Sequence, residues 1–245
     1  MSHTSMHTSA DGKIARILVG MEQPQGLFIA VEGTDGSGIS TQTALLAQWL
    51  RGRGRAVHAT KEPSGGPVGL LLRLALTQRL GLGGDVGAAL RPLDEATMAL
   101  LFAADRMDHL AAEVEPRLAA GVDVVCDRYI LSTYAYQGTG VDGAWLRALN
   151  ARARVPDLTI LLDVPPAVSI ARMAARGAVE RYEQEETLTS VRAAFHAAAS
   201  SLRTQGQHIV VLDGVQPLKA VQDAVAATVH PLLAPEGDAL PSPHR

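Results

Sequence analysis

The chain has 245 residues, of which 47% are hydrophobic and 19% are charged, and its formal net charge is −3. This length and composition suit one globular domain or at most two, and the slightly acidic balance argues against nucleic acid as the main partner. Cys126 is the single cysteine, so an internal disulfide is excluded and a reducing, cytoplasmic location is expected. No apolar run reaches the roughly 18 residues that a membrane-spanning helix needs, so no membrane partner is expected.

The first predicted strand covers residues 27–32, and a helix is predicted over residues 43–50. Between them lies a glycine-rich turn, residues 33–41, which fits the phosphate-binding pattern G-x-x-x-x-G-K-[ST] at every fixed position except one. Such a turn presents backbone N–H groups to a polyphosphate, and the helix that follows adds its positive dipole end. Ile39 stands where the pattern has lysine, so the turn indicates nucleotide binding more strongly than catalysis. A turn that binds nothing is the alternative.

Strands and helices then alternate to the end of the chain, with no long structureless gap and no internal repeat. The further strands are predicted over residues 56–60, 122–126, 158–164 and 208–212, and the further helices over 68–76, 94–118, 144–153, 166–176, 188–205 and 218–233. Near-continuous apolar runs are typical of parallel strands covered on both faces. The pattern therefore predicts an α/β domain with an open, mostly parallel five-stranded sheet and helices on both faces.

The two ends of the chain lack this alternation. Residues 1–25 are polar and are predicted to form a flexible leader, too weakly apolar for a secretion signal, and Met21 is an alternative start of translation. Residues 235–245 contain three prolines and predict a disordered tail. The folded domain is therefore expected over residues 26–234.

Residues suited to phosphoryl transfer follow the predicted strands, at the edge where such sheets bind ligands. Ser40 can place its hydroxyl on Mg²⁺. Asp127 and Asp163 each end a strand, where a carboxylate can orient the metal or its waters. A loop cap or turn residue is the alternative for each aspartate.

Two sets of arginines could bind phosphate, because a guanidinium grips phosphate oxygens in a bidentate way. The first set, from three separate elements, is Arg73, Arg106 and Arg128. The second set, in a charged stretch around residues 172–186, is Arg172, Arg176 and Arg181. The stretch could form a mobile lid that closes over the phosphates. Unrelated surface charges and a salt-bridged helix end are the respective alternatives.

The chain resembles the bacterial thymidylate (dTMP) kinases from about Leu27 to Leu233. The likeness rests on Gly33-Thr34-Asp35-Gly36-Ser37-Gly38, Glu62-Pro63 with Gly65-Gly66, Leu101-Phe102-Ala103-Ala104-Asp105-Arg106, Asp127-Arg128-Tyr129 with Ser132, Ala135-Tyr136-Gln137-Gly138, and Leu161-Leu162-Asp163-Val164-Pro165-Pro166. Each motif alone is modest, but their shared order and spacing are highly specific. The resemblance implies a P-loop NTPase-type nucleoside monophosphate kinase fold. It also implies a homodimer that phosphorylates dTMP to dTDP with ATP and Mg²⁺.

The resemblance further implies roles for individual residues. Asp35 is expected to bind the sugar 3′-hydroxyl, and Phe102 is expected to stack on thymine. The nucleotide-binding residues would be Gly33, Asp35, Gly36, Ser37, Gly38, Ile39, Ser40 and Thr41, with Ser40 and Asp127 at the metal. The acceptor-binding residues would be Asp35, Glu62, Arg73, Phe102, Arg106, Arg128, Tyr136 and Gln137. The catalytic residues would be Asp127, Arg128, Arg176 and Arg181. The lid residues Arg176 and Arg181 would be the catalytic cations, because residues 34–38 contain no basic side chain.

Ile39 is the one departure from the family pattern at a chemically important position. Removing one preorganised charge-stabilising donor costs about 10²–10³ in rate in known enzymes. We therefore expect weakened transfer, with Arg176 or Arg181 covering part of the missing charge. Two alternatives stay open: a paralogue that binds nucleotides without turnover, and a kinase for another nucleoside monophosphate.

Overall fold

The apolar runs of the sequence assemble into one parallel sheet. The computed structural model describes residues 25–77, 79–80, 91–175 and 183–233. The strands are β1 Phe28–Gly33, β2 Val57–Lys61, β3 Asp123–Asp127, β4 Leu158–Asp163 and β5 Ile209–Asp213. They form a five-stranded sheet in the order β2-β3-β1-β4-β5, with every pairing parallel. The predicted fold class is confirmed, and each strand lies within one residue of its expected position.

Helices connect the strands and cover the sheet. They are α1 Ile39–Arg51, α2 Pro67–Leu76, α3 Glu95–His109, α4 Glu115–Ala119, α5 Ile130–Tyr136, α6 Gly143–Leu149, α7 Pro166–Ala174, α8 Glu183–Thr204 and α9 Leu218–Val229. A π-helical turn, Leu110–Val114, joins α3 to α4, and a 3₁₀ turn, Gln137–Thr139, follows α5. The wider turn precedes Pro116, which has no N–H to continue the α-helical bonding pattern. The predicted helix 94–118 is thus helical throughout but not uniform.

Some helix limits differ from the sequence expectation. As predicted, Asp94 caps α3, and its side chain accepts a hydrogen bond of 2.9 Å from the Thr97 N–H. However, α6 stops at Leu149, four residues earlier than expected. Helix α8 begins at Glu183 rather than near residue 188. Its first residues were not predicted to be helical because they are polar and show no apolar periodicity. Helix α5 was not expected, since its sequence ILSTYAY has few strong helix formers.

Alternate residues of the strands supply two cores, one on each face of the sheet. Ile29 and Val31 of β1 pack against apolar residues of α1 and α9. Phe28 and Ala30 point to the opposite face, where they pack against the π-helical turn and its neighbours. Helices α5 and α8 cover the remainder of that face over β4 and β5. The sheet is therefore buried on both sides, and ligands have access at its edges.

The register of the strands places three connecting loops together at the carboxyl edge of the sheet. Asp127 of β3 lies opposite Val31 of β1 on one side and Lys61 of β2 on the other. Gly33 of β1 lies opposite Leu162 of β4. The loops after β1, β2 and β3 consequently leave the sheet side by side.

Several sequence expectations fall on other parts of the chain. The predicted leader up to residue 24 and the predicted tail over 235–245 lie outside the described residues. The limits of the folded domain therefore stay a prediction. Within the described ranges, no helix is long and apolar enough to cross a membrane.

Candidate active site

The loop after β1 has the backbone shape of an anion-binding turn. Gly36 and Gly38 have φ of +79° and +97°, in the left-handed region that glycine adopts without strain. Helix α1 begins directly after Gly38, and no side chain caps its first N–H groups. A Cβ on Gly38 would meet no atom within 4 Å, so the space beside this residue is open. These donors and this space fit a polyphosphate.

Gly36 and Gly38 offer a matched test of how close packing at Gly36 contributes to stability. We expect Gly38→Ala to lower the free energy of unfolding by about 1–2 kcal/mol, the cost of left-handed backbone for a residue with a Cβ. A Cβ on Gly36 would also lie 2.6 Å from the backbone oxygen of Ser169. Gly36→Ala should therefore cost about 1–3 kcal/mol more, the usual penalty of overpacking. Urea unfolding of the two variants measures the difference, and equal losses would contradict this account of the contact.

Ile39 turns most of its side chain away from solvent. It is 6% exposed and belongs to the hydrophobic cluster that contains Val31 and Leu46. The same residue also lines the cavity next to the turn. The position that carries lysine in the general pattern therefore supplies packing surface here, and it supplies no hydrogen-bond donor.

A first cavity, of about 340 Å³, adjoins the turn. It is lined by Asp35, Gly36, Gly38, Ile39, Ser40, Thr41, Lys61, Glu62, Pro63, Arg73, Asp127 and Arg128. Six of the eight predicted nucleotide-binding residues are thus together, and both predicted metal residues are among them. The hydroxyl of Ser40 and the carboxylate of Asp127 are oxygen donors of the kind that Mg²⁺ accepts, so this donor set fits the metal.

A second cavity, of about 210 Å³, adjoins the first. It is lined by Asp35, Glu62, Pro63, Leu76, Phe102, Arg106, Arg128, Tyr129, Ser132, Thr133, Tyr136 and Gln137. Seven of the eight predicted acceptor-binding residues lie here, whereas Arg73 lines the first cavity. Four residues, including Asp35 and Arg128, line both cavities. The two spaces are therefore continuous at the edge of the sheet.

Arg106 is a buried cation in the wall of the second cavity. It is 1% exposed, and its Nη2 donates hydrogen bonds to Glu62 Oε2 at 2.6 Å and to Thr133 Oγ1 at 2.9 Å. Burial works against its charge, but the carboxylate of Glu62 raises the pKa of Arg106 overall. Its buried Nε has no hydrogen-bond partner in the described part of the chain. An unpaired buried donor is costly, and a hydrogen-bond acceptor brought within its reach would be stabilised.

Arg128, Asp35 and Tyr136 connect the phosphate-binding turn to α5. Arg128 Nη2 donates to Asp35 Oδ1 at 2.7 Å, and the Tyr136 hydroxyl donates to Asp35 Oδ2 at 3.0 Å. Arg128 Nη1 also donates to the Gly33 carbonyl at 3.0 Å. Burial, together with the Asp35 carboxylate, raises the pKa of Tyr136 to about 12, so its hydroxyl stays protonated and can donate. Arg128 holds a φ of +68°, a strained conformation of the kind found at functional sites.

The comparison with known proteins places the chain in a family. Residues 31–225 match the family model described as thymidylate kinase. The chain belongs to the thymidylate kinase family. It is 45% identical over 210 residues to a thymidylate kinase of Thermomicrobium roseum, covering 82% of this chain and 93% of the relative. It is 41% identical over 202 residues to a thymidylate kinase of Leifsonia xyli subsp. xyli, covering 80% and 90% respectively. The resemblance stated from the motifs is confirmed.

Within this thymidylate kinase fold, Glu32 was missed by motif reasoning. It is fully buried at the end of β1, and its Oε1 accepts the N–H groups of Tyr129 and Leu131 at 3.0 Å each and of Ser132 at 3.2 Å. Burial raises the pKa of Glu32. Its carboxylate fixes the segment that carries Arg128 beside the phosphate-binding turn. A carboxylate that ends an otherwise apolar strand is the sequence signal that could have identified it.

Asp163 is not among the residues that line the first two cavities. Its carboxylate accepts two hydrogen bonds of 2.7 Å from Arg192 of α8 and one of 3.0 Å from His196. The hydrogen bonds from Arg192 are the largest cause of the lowered pKa of Asp163. Its carboxylate thus anchors α8 to the end of β4.

A third cavity, of about 240 Å³, lies on the other side of the turn. Ser37, Gly38 and Thr41 line it, together with Arg172, Gly214 and Gln216 among others. Arg172 Nη2 donates to the Gly214 carbonyl at 2.9 Å. Sequence reasoning placed Arg172 only near the lid and missed the loop after β5, since this loop carries no recognisable motif.

The predicted catalytic arginines Arg176 and Arg181 lie outside the described residues, as do Glu180 and Tyr182 of the expected lid. Their roles stay predictions.

Proposed function

We propose that this chain transfers the γ-phosphate of ATP to dTMP and releases ADP and dTDP, as the names of its relatives indicate. The observation that carries the proposal is the pair of continuous cavities at the sheet edge. One adjoins the phosphate-binding turn, and the other is walled by Phe102 and the buried cation Arg106. Asp35 and Arg128 stand between them, where the two substrates would meet.

The donor nucleotide would occupy the turn and the third cavity. Backbone N–H groups of the turn and of α1 would hold its phosphates. Its base would enter the third cavity, beside Arg172 and the loop after β5. Ser40 and Asp127 would hold Mg²⁺. When bound, the metal would supply positive charge that offsets the negative charge developing during transfer.

The acceptor would occupy the second cavity. Phe102 offers a ring on which thymine can stack, and the free Nε–H of Arg106 offers a donor to a ligand oxygen. Tyr136 and Gln137 would line the part of the cavity that holds the sugar and base. A phosphate oxygen of the acceptor would then attack the γ-phosphorus, and catalysis would consist of positioning and charge stabilisation. Arg73, Arg128 and the lid residues Arg176 and Arg181 would supply the cations, and the loss of lysine at Ile39 would slow transfer.

A coupled assay of ADP release tests this function, with dTMP, dUMP, dCMP and dGMP as competing acceptors and EDTA as the metal-free control. dTMP should be the preferred acceptor, and activity should require Mg²⁺. Calorimetric binding of dTMP without product would instead indicate a non-catalytic nucleotide-binding protein. Preference for another monophosphate would reassign the acceptor.

We also infer a cytoplasmic homodimer. Several apolar side chains are exposed on α2 and α3, two helices that contact each other, including Leu70 at 54% and Leu100 at 49%. Exposed apolar patches mark interaction sites. Leu70→Asp should shift the sedimentation coefficient from dimer to monomer. Val155→Asp, at a position that is also 54% exposed but lies elsewhere, should leave it unchanged. A wild-type monomer would contradict the inference.

A further inference from the structure

Lys61 is a free cation at the mouth of the phosphate-binding turn. It is the last residue of β2, it lies opposite Asp127 in the sheet register, and it is exposed. It lines the first cavity together with Ile39, Ser40 and Asp127. The chain contains 22 Lys and Arg residues, and only Lys13, Lys61 and Lys219 are lysines. One of the three lysines therefore lines the first cavity, next to the phosphate-binding turn that has no lysine at position 39.

The other described cations that line this cavity are already bonded. Arg73 Nη1 donates to the carbonyl oxygens of Pro63 and Ser64. Arg128 donates to Gly33, Ser132 and Asp35. The ammonium group of Lys61 forms no hydrogen bond or ion pair with any residue that the structure describes. Its ammonium can therefore turn toward an anion without breaking a contact, and its flexible stem suits a point charge for phosphate.

We propose that Lys61 contacts the transferring phosphate and supplies the charge that Ile39 does not. This inference rests on the proposed function, and it adds a catalytic residue from β2, outside the turn. In the transfer, the bond between the γ-phosphorus and the β,γ-bridging oxygen breaks, and a bond forms to a phosphate oxygen of the acceptor. Lys61 exchanges no proton in this step. Its fixed positive charge stabilises the negative charge that spreads over the γ-phosphate oxygens.

A double-mutant cycle between positions 39 and 61 tests the proposal. Lys61→Met should lower kcat by about 10²-fold, the loss typical of one charge-stabilising group, with a smaller change in KM for dTMP. In an Ile39→Lys background, the same substitution should change kcat much less, because the restored lysine makes Lys61 redundant. Lys219→Met is the matched control, since Lys219 pairs with Asp223 on the exposed surface of α9. Equal losses in the two backgrounds would overturn the proposal.

Chemical footprinting supplies a test that does not depend on turnover. The protein is acetylated with an amine-reactive reagent, and the lysine peptides are quantified by mass spectrometry. ATP with Mg²⁺ at ten times its Kd should slow acetylation of Lys61 about tenfold, in proportion to the fraction of free protein, and should leave Lys219 unaffected. An unprotected Lys61 in a protein that binds ATP would refute the contact. Protection of Lys61 without dTDP formation would instead refute the proposed function and retain the contact.

Discussion

Replacing Ile39 by lysine is expected to raise kcat for dTMP phosphorylation by about tenfold, less than the roughly 10²–10³ that one preorganised donor to the developing charge is worth. The gain is smaller because Lys61 would already supply most of that charge. The Cα of residue 39 opens α1 directly after the turn, and its side chain lines the first cavity. A lysine can lay its stem along the surface that Ile39 now covers and place its ammonium in the cavity. Steady-state kinetics of the two proteins measure the gain.

The same substitution removes apolar packing, so its effect on stability must be separated from its effect on rate. Ile39 is 6% exposed within the cluster on the α1 face. We expect Ile39→Lys to lower the free energy of unfolding by about 1–2 kcal/mol, within the usual range for such replacements. Ile39→Met changes shape without adding charge and should give no increase in kcat. If Ile39→Met raised kcat as much as Ile39→Lys, the gain would come from shape, and the role assigned to the missing charge would be wrong.

Much of the fold could be predicted because it depends on local patterns. Short, near-continuous apolar runs bounded by turn residues predict the strands, and the alternation of strands with helices predicts a parallel sheet. Helix α5 escaped prediction because its stability comes from tertiary contacts. The buried carboxylate of Glu32 accepts the N–H groups at the start of α5, and residues Leu131 and Ala135 pack under α8. Neither contact is visible in a short stretch of sequence.

The sequence predicted only the part of the site that lies at the ends of strands, because residues at the carboxyl ends of neighbouring parallel strands must lie close together. The glycine turn, Asp127 and Arg128 share the carboxyl edge of the sheet, so their meeting follows from topology. The partner of Asp163 could not be predicted, because Arg192 lies 29 residues further along the chain. The burial of Ile39 could not be predicted, and neither could the lack of a partner for the Lys61 ammonium among the described residues. Both depend on the direction in which a side chain leaves the backbone, and the sequence does not give that direction.

Replacing Arg106 by methionine is expected to lower the free energy of unfolding by about 3–5 kcal/mol, because removing one partner of a buried ion pair strands the other charge. The side chains of Arg106 and Glu62 are 2% and 3% exposed. Without Arg106, the Glu62 carboxylate would keep only the Nδ1 of His109 at 3.4 Å as a side-chain partner among the described residues. Urea unfolding of wild type and variant measures the loss.

Adding Glu62→Gln should recover part of this stability, since the neutral amide no longer requires a buried cation. A coupling energy of about 0.5–3 kcal/mol is expected for two groups in direct contact. Affinity for dTMP should behave differently from stability. Loss of the free Nε–H of Arg106 should weaken dTMP binding by about 10–100-fold in both the single and the double variant, the worth of one charge-assisted hydrogen bond.

The double variant therefore separates two roles of the same side chain. If Arg106 contacts the acceptor, Arg106→Met with Glu62→Gln will fold more stably than the single variant and still bind dTMP poorly in calorimetry. If dTMP affinity returns together with stability, Arg106 serves only to neutralise Glu62, and the acceptor must take its charge from Arg73 or Arg128. Arg106 lines the second cavity, and its buried Nε has no hydrogen-bond partner among the described residues. The first outcome is expected, because a buried donor without a protein partner is best satisfied by a ligand.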